Sequence, residues 1–203
     1  MILKHKYYIC HALFRIDYMD YENFIFCLEA VADVDRAGNT EVVRNLEQLA
    51  FEGISSIYKN CDTIEGMEES LQALLYDYHN FKNYEIIYLV MQGQANNICL
   101  NGYYYSIEEI AELFEGKMKG KVIHFANSKV LDLDEEEAQY FLDITGAKAI
   151  SGYGLPFSGI SSVNLDKLFF SLFEDSDDVV DIVEVLHEKR CVLCKTLDFR
   201  LYY

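Results

Sequence analysis

Short apolar runs alternate with stretches of helical period along most of this chain. Phe24-Ile-Phe-Cys-Leu-Glu-Ala30 is bounded by polar residues and predicts a buried strand; Val42 to Phe51 then carries a helix-period pattern behind Thr40. Ile54 to Tyr58 repeats the β-rich signal. It is followed by Ile64, Met67, Leu71, Leu74, Leu75 and Tyr78 at helical spacing. Tyr84-Glu-Ile-Ile-Tyr-Leu-Val-Met91 shows no alternation, the mark of a central strand covered on both faces, and ends at Gln92-Gly93. Asn101-Gly102, between Asn96–Leu100 and Tyr103–Tyr105, suits the positive φ angles of a two-residue hairpin turn. Ser106-Ile-Glu-Glu109 is a capping box, opening a helix that Gly116 stops.

Beyond it, Lys121 to Phe125 predicts a strand. Asp134 caps a helix through Ile144, which Gly146 closes, and Ala147 to Ser151 predicts a strand running into Gly152-Tyr153-Gly154. Ile160 to Phe173 and Val179 to Leu186 read as helices, and Cys191 to Tyr203 as strand. Strands separated by helices require crossover connections, so a mostly parallel sheet with helices on both faces is expected. In such sheets ligands sit beyond the carboxyl ends of the strands, which directs attention to the residues just after Ala30, Met91, Phe125 and Ser151.

Those positions resemble a known family. Leu89-Val-Met-Gln92-Gly93 and Val122-Ile-His-Phe-Ala-Asn127-Ser128 fit the frame of the caspase-like cysteine peptidases, in particular the bacterial CHAT-like proteins. In that family a central strand ends in His-Gly and the next long strand ends in a small residue, a polar residue and the catalytic Cys. The hairpin Asn96 to Tyr105 and Thr145 to Tyr153 extend the likeness, which covers roughly residues 24 to 173. The resemblance implies one α/β domain over residues 1–203, a three-layer sandwich with a mostly parallel central sheet, a small β-hairpin and an antiparallel last strand; residues 1–22 would form an N-terminal extension or extra strand.

The departures from the family pattern bear on function. Its catalytic His and Cys positions are occupied here by Gln92 and Ser128. Gln cannot take a proton, and a serine hydroxyl depends on a neighbouring base more than a thiol does. The expected function is therefore that of an inactive relative that binds a protein or peptide partner; the alternative is a hydrolase using Ser128 or another nucleophile. Gly93, Asn127, Gly152 and Tyr153 are candidate cleft residues by the resemblance, and Gly93 and Gly152 are explained equally well as turn residues. Glu29 reads either as a solvated carboxylate at a strand end or as a cleft group facing a basic side chain. His124 lies within a strand and reads as a satisfied core histidine. Cys27 is taken as the thiol nearest the active edge and as a packing residue.

Composition narrows the classes further. Seventeen Lys and Arg against 34 Asp and Glu leave a formal charge of −17, which repels phosphate backbones and speaks against nucleic acid as a partner. No apolar stretch reaches the ~18 residues of a membrane span, and Met1 to Ala12 lacks the apolar core of a signal peptide, so a cytoplasmic protein with no membrane partner is expected. The six cysteines lack disulfide or zinc spacing. Cys191-Val-Leu-Cys194 is a single CxxC that, read as the start of a strand, lacks the strand-to-helix turn of a redox motif. No phosphate loop, dinucleotide fingerprint or metal cluster is present, and no cofactor or metal is expected.

Overall fold

The computed structural model describes residues 24–31, 40–72, 84–94, 96–126, 131–155 and 162–203. Six strands form the main sheet in the order β2-β1-β3-β7-β8-β9, and three short strands form a second sheet, β4-β5-β6. The main-sheet strands are β1 (Phe24–Ala30), β2 (Ser55–Cys61), β3 (Tyr84–Val90), β7 (Val122–Ala126), β8 (Ala149–Tyr153) and β9 (Phe199–Tyr202). All neighbours in it are parallel except β9, which runs antiparallel to β8.

Strand side chains alternate between faces, and the two faces carry separate apolar layers. Ile25, Cys27, Ile86, Tyr88, Val90, Val122 and Ala126 meet α1 (Thr40–Phe51), α5 (Val163–Ser171) and α6 (Val179–Leu197). Phe26, Leu28, Ile87, Leu89, Ile123, Phe125 and Ile150 meet α2 (Ile64–Gln72), α3 (Ile107–Leu113) and α4 (Glu135–Thr145). With helices on both sides, β3 reads as a continuous apolar run because neither face meets water. The three-layer arrangement expected from the sequence is the one observed.

Local signals set the helix boundaries. Ser106 and Glu109 form both bonds of the capping box before α3, Asp134 and Glu137 do the same before α4, and Gly146 closes α4 in the left-handed region. Asn101 and Gly102 take φ of 48° and 83° at the tip of the hairpin of β5 (Asn97–Leu100) and β6 (Tyr103–Ser106).

The expected hairpin is present as β5 and β6, and a third strand joins it: the chain leaves the main sheet at Met91 and Gln92–Gln94 pairs with β5 as β4. One expectation is corrected. The segment from Cys191 is not a strand: α6 runs to Leu197 and only Phe199–Tyr202 is extended. Leu193, Cys194 and Leu197 turn toward the core at helical spacing, and Asp198, at φ 50°, ends the helix. The helix is interrupted at Arg190, whose φ of −139° and ψ of 36° are not helical.

Candidate functional site

At the carboxyl edge, β1, β3 and β7 end side by side, with Glu29 paired to Val90 and Val90 to Ala126. The Met91 amide donates to the Ala126 carbonyl at 3.3 Å. The strands that precede Gln92 and Ser128 are thus adjacent and parallel. Asn127 and Ser128 themselves lie outside the described residues, as does the extension expected over 1–22.

Gln92 opens β4 and is exposed. Its cross-strand partner is Cys99, whose partner on the other side is Tyr104, so these three share one face of the meander. Cys99, rather than Cys27, is the described thiol registered against the Gln92 position. Sequence reasoning missed it because the third strand was not foreseen.

The candidate glycines are sites of close approach. A Cβ at Gly93 would fall on the Asn97 carbonyl oxygen, and one at Gly152 would stand 2.5 Å from Leu131 Cδ1 and 2.7 Å from the Phe125 carbonyl oxygen. Glu29 is not a solvated carboxylate: it is 6 % exposed and accepts a hydrogen bond from the Tyr58 hydroxyl. Tyr153 is fully buried and faces inward rather than into a cleft, because alternation along β8 turns it to the α5 side.

Beneath this edge runs a polar row. Tyr58, Cys27, Tyr88, His124 and Ser151 are successive register partners across five strands, on the face covered by α5. From α5, Asp166 reaches into the row. Its carboxylate accepts from the Tyr88 hydroxyl at 2.7 Å, from the Ser162 hydroxyl at 3.1 Å and from the Tyr153 hydroxyl. His124 Nε2 lies 3.0 Å from Asp166 Oδ1, and its Nδ1 lies 2.8 Å from Ser151 Oγ. A carboxylate only accepts, so Nε2 carries a proton, and in the neutral ring Nδ1 accepts from Ser151.

Hydroxyl, imidazole and carboxylate are thus connected in the order of a serine hydrolase's charge relay. The array cannot act as one. Ser151 and His124 have no exposure and Asp166 has 1 %, so no substrate carbonyl reaches the hydroxyl. Rings of Tyr88, Tyr153, Phe169, Phe170 and Phe199 enclose the imidazole at centroid distances of 5.3–6.1 Å. With both nitrogens engaged, His124 is the satisfied core histidine that its place in the strand implied. Asp166 went unnoticed because nothing in its local sequence marks a buried carboxylate.

The same burial governs the titrating groups. Desolvation raises the Cys27 thiol well above its ordinary value, with Glu29 and then Asp166 adding to it. Tyr88 and Tyr153 are raised by burial and then by the Asp166 charge. Cys61 is pushed up to about 12, chiefly by burial. These groups stay protonated at neutral pH and behave as packing and hydrogen-bonding elements. Among the described residues, no group of three or more His, Cys, Asp or Glu could hold a metal ion, and no helix is long and apolar enough to cross a membrane.

Comparison with solved structures places this architecture. The Drosophila initiator caspase Dronc superposes with a TM-score of 0.52 at 12 % identity, covering 82 % of this chain and 72 % of Dronc. Caspase-1 from Spodoptera frugiperda gives a TM-score of 0.52 at 12 % identity, covering 84 % of this chain and 77 % of its own. At that identity the likeness establishes a caspase-like fold. No curated protein matches the sequence. Residues 22–203 match the Family of unknown function (DUF6642), and the chain belongs to that family.

Proposed function

We propose that this protein is a catalytically inactive caspase-like protein of the CHAT-like branch that works in the cytoplasm by binding a protein or peptide segment. The observation that carries this reading is the exposed Gln92 at the point where the chain leaves β3 beside the end of β7. An amide there supplies no general base, and the imidazole nearest in the sheet, His124, has both nitrogens committed inside the core.

The meander supports the binding half of the reading. Tyr103 and Tyr104 are 69 % and 55 % exposed on its outer strand. The Ile107 amide donates to the Asn96 carbonyl, which sets the alternation of the β5–β6 ladder and turns the Tyr104 N–H and C=O away from β5. An extended segment laid along β6 gains that backbone pair and aromatic contact on both sides. The formal charge of −17 favours a segment carrying Lys or Arg, which tyrosine faces also attract.

The test is twofold. The purified protein is expected to cleave no member of a broad fluorogenic peptide library, and to bind Lys- and Arg-containing extended peptides more weakly once Tyr104→Ala is introduced. Cleavage abolished by Ser128→Ala overturns the first half and establishes the hydrolase alternative. Peptide binding indifferent to position 104 overturns the proposed surface.

A further inference from the structure

Outside the carboxyl edge, the described residue pair with the clearest chemical pattern is Cys191 and Cys194. Both are free thiols; Cys191 is exposed, whereas Cys194 is 1 % exposed, with its Sγ 3.9 Å from the Leu186 carbonyl oxygen. In the strand expected from the sequence, the two would have pointed to opposite faces. The helix places them on one face. Residues three apart on an α-helix have Cα atoms about 5 Å apart, from a rise of about 1.5 Å per residue on a cylinder of about 2.3 Å radius. That falls inside the ~4.4–6.8 Å span of a disulfide.

A pair in mid-helix is held on both sides by regular turns that resist the backbone adjustment an unstrained disulfide needs. Here the non-helical Arg190 directly precedes Cys191, so its backbone is anchored by regular helix on the Cys194 side alone. One thiol is open to reagents and the other is sheltered within reach of it. That division suits an attacking and a resolving cysteine.

We propose that Cys191 and Cys194 are a dithiol site that closes to an intrahelical disulfide by exchange with low-molecular-weight disulfides of the glutathione class. The Cys191 thiolate attacks one sulfur of the disulfide, forming a Cys191–glutathione mixed disulfide and releasing one glutathione thiolate. Cys194 then gives up its proton to solvent and attacks Cys191 Sγ. The second glutathione leaves as thiolate. In total, two protein thiols are oxidised to one disulfide, and one glutathione disulfide is reduced to two thiols.

Burial, and next the neighbouring Cys191 thiolate, raise the Cys194 pKa. The mixed disulfide removes that thiolate, which eases the second step, but burial still favours the protonated thiol, so closure accelerates as pH rises. The other described thiols are poorly placed to compete. Cys27 and Cys61 are buried with raised pKa values, and Cys99 lies on β5 of the separate meander.

The experiment uses the full chain, equilibrated natively with reduced and oxidised glutathione, quenched in acid, alkylated in guanidinium and weighed intact. Alkylatable thiols are expected to fall from six to four without a retained glutathione, and peptide mapping is expected to link Cys191 to Cys194. Dithiothreitol should restore all six. In Cys194→Ser the glutathione should remain on Cys191, and Cys191→Ser should show neither product. Six alkylatable thiols throughout, a stable glutathione adduct on wild-type Cys191, or linkage of either cysteine to a different one overturns the proposal. These outcomes are read on the wild type, so the test stands even if Cys194→Ser does not fold.

Discussion

Gln92 and Cys99 face each other across β4 and β5, as registered partners on the exposed side of the meander. On the proposed reading, the position of the family's imidazole therefore carries an amide beside a thiol. An amide is no proton acceptor for peptide hydrolysis at neutral pH.

On the proposed reading, restoring one member of the dyad is expected to leave the protein silent. Ser128→Cys supplies a thiol with no imidazole at position 92, and any gain of peptide cleavage should be confined to the Gln92→His/Ser128→Cys double variant. A fluorogenic peptide panel reads this directly. Activity in Ser128→Cys alone would show that another base serves the site.

Asp166 is expected to be among the residues least tolerant of substitution. Asp166→Ala leaves the Tyr88, Tyr153 and Ser162 hydroxyls and His124 Nε2 without their shared acceptor in a fully packed layer. Loss of one partner from such a buried network costs about 3–5 kcal/mol. Urea denaturation followed by circular dichroism measures it; a loss under about 1 kcal/mol would mean that the network contributes little.

Stability should fall on the alkaline side. Cys27, Cys61, Tyr88 and Tyr153 all have raised pKa values in the folded chain, so the unfolded chain releases these protons first. Their contribution is complete below the unfolded values of 9.0 for Cys and 10.0 for Tyr, and is lost as pH climbs toward the folded ones. For Cys61 that window runs from 9.0 to about 12. Melting temperatures recorded from about pH 7 to 11 should decline above about pH 9; a flat profile contradicts the burial of these groups.

Gly152→Ala should destabilise the protein by about 1–3 kcal/mol, since its added carbon meets a main-chain oxygen that cannot rotate aside. Gly93→Ala should distort the meander at the Asn97 carbonyl and weaken peptide binding there. Thermal shift and the peptide-binding assay separate the two effects.

The alternation of β-rich and helix-period segments was enough to predict the parallel sheet, because each signal depends on residues within a turn or two of one another. The capping boxes at Ser106 and Asp134 and the Asn101-Gly102 turn were legible for the same reason. The family frame also brought Gln92 into view as the residue that follows the central strand. The inward placement of Tyr153, the burial of Glu29 and the polar row were decided by tertiary structure. His124 and Asp166 are 42 residues apart and meet only when α5 packs over β7 and β8. The end of the chain misled for a related reason. The stretch from Cys191 to Tyr203 reads as alternation until the core that Leu193, Cys194 and Leu197 cover is in place, and it is the burial of one helical face against that core that makes Cys191–Leu197 helical and sets Cys191 beside Cys194.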